Sequence, residues 1–348
     1  MRLGLAFAAI TSLLTACGAQ PSNSREPLLI VETSAAPPAS AIAAPTPSTA
    51  PKAELPVSER FSAKIVLEKE IAFLITGEKG RLAVLAKEGA ATVPHRFEQD
   101  KWQALELPEP LRAADPAKLG IYFGRDNRPR LMGFHGQADA ARMVYLRFKD
   151  GSWQDQRSEL GGLASDSAAL FGVLGEADPE VVCKVGMATC LLKSRKGWKD
   201  VKSSLPPTAV VRAFLGKGYA LTSEGVFRAD DAGFTRVGPP PPWKTPATGF
   251  WVGEDDTVAV VEAAADRIYT LANASGAWVA ETSPIAGPRD ITGPTAERFV
   301  AGDGGLALLS AQGPKRVGSA GLSFSRVIQV GAKLVAGGRS GVLLVTPQ

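Results

Sequence analysis

An aromatic residue recurs just behind a turn along most of this chain: Asp100-Lys101-Trp102, Gly151-Ser152-Trp153, Gly197-Trp198, Gly233-Phe234 and Gly276-Ala277-Trp278, with Gly313-Pro314-Lys315 as a degenerate sixth. The intervals are 51, 45, 36, 44 and 37 residues, a mean of about 43. Four-stranded propeller blades run at roughly 40 to 50 residues. One unit reads as four strand runs: Gly249–Val252, Thr257–Val261, Arg267–Leu271 and Trp278–Glu281. The next gives Asp290–Thr292, Arg298–Ala301, Leu306–Leu309 and Lys315–Val317. Such a sheet hides its faces only against neighbouring sheets, and the recurring aromatic is placed to fill the seam between them. The repeat therefore predicts an all-β propeller.

The ends of the repeat predict how the ring closes. Behind the sixth unit stand three strand runs, Arg326–Val330, Lys333–Ala336 and Val342–Val345, and a fourth is missing. Ahead of the first unit, Ala63–Leu67 is a strand without a blade. Pairing the two removes an open sheet edge. The expectation is seven blades over residues 61–348, closed by the N-terminal strand, with six as the alternative. Short runs broken by 36 Gly and 26 Pro fit this reading. Residues 17–60 are different in kind. They are rich in Ala, Pro, Ser and Thr, and bury too little apolar surface to offset their ordering entropy. They read as a tether with a reach of about 35 Å as a coil and about 130 Å as extended polyproline.

The N-terminus carries Arg2, an apolar run Leu3–Leu14, then Thr15-Ala16-Cys17. About a dozen apolar residues make a signal peptide and are too few for a bilayer span of roughly 20. Leu14-Thr15-Ala16-Cys17 resembles the lipobox of bacterial lipoproteins. That resemblance implies cleavage of residues 1–16, a diacylglycerol thioether on Cys17 and acylation of the new N-terminus. Gly18 is not the Asp of an inner-membrane retention signal, which favours the outer membrane. With Cys17 lipidated, Cys183 and Cys190 remain as a pair. They flank an expected turn, where facing strands approach disulfide distance. Closing so short a loop contributes about 2.5 kcal/mol in the chain-entropy model.

Phe299-Val300-Ala301-Gly302-Asp303-Gly304-Gly305-Leu306 resembles a repeat of secreted bacterial propellers related to photosystem assembly factors. Lys333–Leu344 matches its first half again, and Asp231-Ala232-Gly233-Phe234-Thr235 is similar to an Asp-box without its leading Ser/Thr and closing Trp. The resemblance supports fold and export, and assigns no activity, because such folds host many.

Chemistry is sparsely marked. The two histidines, His95 and His135, form no ligand cluster with the cysteines, and neither H-E-x-x-H nor an EF-hand pattern occurs, so no metal or cofactor is implied. No nucleophile elbow is present. A formal net charge of +4, spread along 348 residues with only 193–202 locally dense, argues against nucleic acid. Loops between blades and middle-strand turns bring forward Arg112, Asp115, His135, Asp139, Arg289, Asp290, Asp303 and Arg339 as a candidate binding face. Arg289-Asp290 is the most pointed pair, at the start of an inner strand. The reading is a lipid-anchored, monomeric envelope protein whose propeller binds a protein or glycan partner without catalysis. A glycan-active hydrolase or lyase is the alternative, since glycosidases on propellers use paired acids.

Overall fold

The computed structural model describes residues 54–348 apart from 78–80, 99–100, 115–118, 125, 136–141, 160–168, 174–179, 185–189, 195–196, 201–204, 207, 210, 216–217, 231–232, 254, 274–275 and 295. For residues 134–135, 142, 169–173, 180–184, 190–194, 197–200, 211–215 and 230 it describes the backbone alone. Cys17, Asp115 and Asp139 lie outside the described residues.

Each sequence unit forms a four-stranded antiparallel sheet, and seven such sheets are present among the described residues. The first contains Glu70–Thr76, Leu82–Glu88, Ala91–Glu98 and Lys101–Ala104. The second contains Leu119–Phe123, Pro129–His135, Arg142–Lys149 and Ser152–Asp155. The third runs Ala169–Val173, Glu180–Lys184, Cys190–Ser194 and Gly197–Asp200. The fourth runs Val211–Leu215, Tyr219–Thr222, Gly225–Asp230 and Gly233–Val237. The fifth holds Gly249–Val252, Val258–Glu262, Arg267–Leu271 and Val279–Thr282. The sixth holds Pro288–Thr292, Glu297–Gly302, Gly305–Ser310 and Lys315–Arg316. The last sheet combines Arg326–Val330, Lys333–Gly338 and Gly341–Pro347 with Phe61–Leu67 from the other end of the domain. First strands of successive sheets touch, so they surround the axis of a β-propeller.

Among the described residues, apolar side chains gather in seams, each shared by two sheets. Between the sixth sheet and the last, Phe299, Leu306 and Leu308 meet Val327, Leu334 and Leu343, with Phe61, Ala63 and Ile65 of the closing strand packed beside them. The repeated aromatics sit in these seams: Trp102, Trp153 and Trp278 each pack against one cluster. Phe97 and Trp102 are cross-strand partners with ring centroids 5.1 Å apart, and Phe148 and Trp153 repeat the pair at 5.1 Å. Pairs of this kind contribute about 0.5–1.5 kcal/mol beyond their burial.

Two local features bear on the sequence reading. The described chain starts at Glu54, ahead of Phe61, and this stretch lies on the domain. Val57 bridges Arg316 in parallel, Ser58 N–H donates to Arg316 O at 2.8 Å, and Arg316 N–H donates to Pro56 O at 2.8 Å. Residues 54–60, read as the end of the tether, thus supply a short strap on the sixth sheet. In the third sheet the register sets Cys183 directly opposite Cys190.

The Pro-rich crossing from the fourth to the fifth sheet is anchored by a buried carboxylate. Glu262 accepts hydrogen bonds from Lys244 N–H at 3.0 Å, Thr245 N–H at 2.7 Å, Thr245 Oγ1 at 2.6 Å and Tyr269 OH at 2.7 Å. Burial raises its pKa, but the four donors together outweigh burial and hold it below the ordinary value. Burial, reinforced by this carboxylate, pushes the Tyr269 hydroxyl up to about 12.

Candidate functional site

The sequence-predicted face is only partly assembled. Arg289 and Asp303 form an exposed ion pair, Nη2 to Oδ2, at 3.0 Å. Ser323 Oγ donates to the second Asp303 oxygen at 3.3 Å, and Ser323 N–H donates to Ser340 Oγ at 2.8 Å. These bonds tie the turn bearing the exposed Arg339 to the same neighbourhood. Arg289 and Asp290 part company because the pairing register shifts between Pro288 and Asp290. Arg289 stays in solvent while Asp290 is 2% exposed. Its Oδ2 accepts from Val327 N–H at 3.0 Å and faces Arg326 Nε at 3.4 Å. Burial raises the Asp290 pKa despite Arg326 and the amide donors. A Cβ on Gly249 would lie 2.5 Å from Asp290 Oδ1 and 2.6 Å from Arg289 O, so this seam closes only because residue 249 has no side chain. Asp290 is thus an internal clamp between inner strands. Arg112 belongs elsewhere: it pairs with Glu106 and Glu109 and donates from Nε to Leu107 O at 3.1 Å, which secures the short helix Glu109–Arg112. For His135 the backbone pairing with Arg142 is described.

Sequence reasoning missed a cleft at the other end of the blades. In an up-and-down sheet the first and third turns lie opposite the second turn and the inter-blade connection. A cavity of about 530 Å³ lies between the first and second blades, lined by turn and strand-end residues such as Arg81, Arg96, Asn127 and Lys149 and reaching Leu105 and Glu106 of the inter-blade connection. Its walls carry Arg81, Arg96, Arg128 and Lys149 against Glu98, Glu106 and Asp150. Glu98 is shared by Arg81 Nη2 at 3.2 Å and Arg96 Nη1 at 3.4 Å. Arg81 also donates to Asn127 O at 3.1 Å, and Arg96 donates from Nε and Nη2 to Gln103 Oε1 at 3.0 and 2.8 Å. The Arg96 guanidinium lies 5.6 Å from the Phe148 ring centroid. These two arginines are therefore held rigid across the seam.

Arg128 is not. Its nearest acid in sequence, Asp126, is shared by Arg147 and by Arg130 at 3.6 Å. Among the described residues Arg128 Nη1 is buried without a hydrogen-bond partner. Asn127 places it: this residue takes φ 53° and closes the turn by donating its N–H to Gly124 O at 2.7 Å. Asn tolerates this left-handed conformation better than most residues. The neighbouring turn fits because residue 77 is glycine; a Cβ there would meet the Phe123 ring at 2.7 Å and Asn127 Oδ1 at 2.9 Å. The clue in the sequence was the density of Arg in Arg125-Asp126-Asn127-Arg128-Pro129-Arg130, more cations than its single acid balances.

Among the described residues no group of three or more His, Cys, Asp or Glu is placed to hold a metal, and no helix is long and apolar enough to cross a membrane. No protein-family model matches the chain, and no curated protein matches it in sequence. Solved structures do match. Virginiamycin B lyase from Staphylococcus aureus superposes at TM-score 0.57 with 14% identity, over 83% of this chain and 100% of that one. YCF48 bound to a D1 peptide superposes at TM-score 0.58 with 14% identity, over 85% of this chain and 98% of that one. PorZ, a bacterial surface component of the type-IX secretion system of Porphyromonas gingivalis, gives 0.53 and 12%, over 79% and 46%. At these identities what is shared is the propeller fold.

Proposed function

We propose that this chain is a cell-envelope lipoprotein whose seven-bladed propeller, completed by its N-terminal strand, binds a ligand or protein partner without catalysing a reaction. The observation that carries the binding reading is the cleft between the first two blades. It holds two arginines fixed by ion pairs and hydrogen bonds, and among the described residues it leaves one buried arginine nitrogen unpaired. A propeller neighbour seen with a bound peptide supports the same use of the fold. In this reading Cys17 carries the lipid, residues 1–16 are removed, and the Pro-rich stretch lifts the domain off the outer membrane. Cys183 and Cys190 form a disulfide, supported by their direct opposition in the register. The glycan-active alternative draws on the lyase among the neighbours and on the exposed Arg289–Asp303 pair.

Affinity capture of the lipidated protein from envelopes tests the proposal. The expected result is a reproducible stoichiometric partner, with Cys17→Ser moving the protein to the soluble fraction. Turnover of a glycan panel by the purified protein would overturn the non-catalytic reading.

A further inference from the structure

We infer that the cleft between the first and second blades binds an anionic sugar, a pyranose unit bearing a carboxylate or a phosphate, with Arg128 as its principal ion-pair donor. The inference rests on the binding reading above and gives it a ligand class.

The charge of the ligand follows from the unbalanced walls. Glu98 is already divided between Arg81 and Arg96, and Glu106 is drawn to Arg112. Asp150 is largely exposed and stands 3.9 Å from Lys149. Arg128 lines the cleft, and its solvent-sealed Nη1 lacks an acceptor among the described residues, so a ligand reaches that nitrogen only as the guanidinium turns outward. Leaving a buried charged donor unsatisfied is costly, and a planar guanidinium matches an oxyanion best. Arg81 and Arg96 are already fixed, so a second and third contact cost little further ordering.

The shape and lining identify the rest of the ligand. A volume of about 530 Å³ exceeds what a bare inorganic anion fills and falls in the range of small-molecule sites. A peptide anchor needs open apolar walls. Here Trp153 packs edge-on to Phe148, Arg96 covers a face of that ring, Trp102 leans on Phe97, and Phe123 is buried. What stays accessible is mixed, about as much apolar surface as polar groups such as those of Glu98, Asp150 and Gln103. A pyranose, with hydroxyls on its rim and C–H groups on its faces, complements such a lining.

Calorimetric titration of the full mature chain with glucuronate, glucose 1-phosphate and glucose tests this. Intrinsic fluorescence of Trp153, packed in the seam between these two blades, supplies a second readout. The anionic sugars should bind, glucose at least about tenfold more weakly, and added salt should weaken binding. Binding of glucuronate alone assigns the carboxylate source, and of glucose 1-phosphate alone the phosphate source. Arg128→Gln, with its fold checked by thermal melting, should lose about tenfold or more in affinity, whereas Arg157→Gln outside the cleft should not. Equal binding of glucose, or undiminished binding by a folded Arg128→Gln, overturns the inference. If no sugar binds and envelope capture still yields a partner, the inference fails and the binding reading stands. If a bound sugar is cleaved, the sugar site stands and the non-catalytic reading fails.

Discussion

Where the fifth, sixth and last blades meet, Gly249 leaves just enough room for the Asp290 carboxylate, and Val327 N–H fills one of its lone pairs. Where the first and second blades meet, Gly77 lets two turns nest, yet the cations behind them stand apart around a cavity. Both seams use a glycine and charged side chains from neighbouring sheets. At the closed seam the Asp290 carboxylate meets one guanidinium and one amide through Oδ2, while its buried Oδ1 has no hydrogen-bond partner among the described residues. At the open seam, among the described residues, Arg81, Arg96, Arg128 and Lys149 face Glu98, Glu106 and Asp150 around the cavity. Pairing is thus incomplete at both seams, and what sets the first-and-second-blade seam apart is the space beside it.

The contrast can be broken most forcefully at the ring closure. Deleting 61–67 removes the outer strand of the last blade and the Phe61, Ala63 and Ile65 packing. Loss of cooperative thermal unfolding is the expected result, whereas deleting 18–53 should leave the melting temperature unchanged. Equal melts for the two proteins would mean that closure contributes nothing.

Glu262→Ala comes next. It leaves two part-buried amides, a part-buried threonine hydroxyl and the buried Tyr269 hydroxyl without their acceptor, and should cost about 3 kcal/mol by denaturant titration. Because its folded pKa is lowered, the contribution of Glu262 is present above the unfolded pKa and disappears as pH falls through the folded one. Glu262→Gln should therefore flatten the acid limb of the stability profile.

Gly249→Ala probes the closed seam directly. Its new Cβ meets a backbone oxygen that cannot move aside, so a loss of about 2–3 kcal/mol is expected. Gly77→Ala meets a Phe ring first, and should cost less, about 1–2 kcal/mol, while reshaping the cleft. A larger loss at residue 77 than at residue 249 would reverse the comparison.

The smallest effect is the most diagnostic in sign. Asp290 has its pKa raised by burial, so its contribution is complete below the unfolded value of about 3.9 and falls as pH rises through the folded pKa. Asp290→Asn never ionises. Its stability relative to the native protein should increase as pH climbs from about 4 and then level off. An increase toward acid pH instead would show that the Arg326 contact outweighs burial.

Much of the scaffold was legible in advance. The aromatic repeat marks the outer strands because a Trp or Phe paired across to a neighbour there covers the rim of a seam, as Phe97–Trp102 and Phe148–Trp153 do. The position of Arg289-Asp290 at the start of an inner strand was also readable. Their separation was not, because a one-residue register shift sends neighbours to opposite sides and leaves no mark in composition. The cleft was illegible for a related reason. Arg81, Arg96, Arg128 and Lys149 come from turns dispersed over the first two repeats, and only the stacking of the two sheets makes them neighbours.

Local patterning, a period of about 43 residues with apolar alternation and turn glycines, settled that the chain would form four-stranded sheets and close them into a ring. Such signals act over a few residues and repeat, so they survive reading in one dimension. Which charges would be neutralised, which buried and which left to face a cavity was settled by contacts across seams, between residues tens of positions apart, where electrostatics and desolvation depend on distance in space. Arg128 and Asp290 look alike as loop and strand-end charges in the chain. Folding sets one against a cleft and makes the other a buried clamp between inner strands.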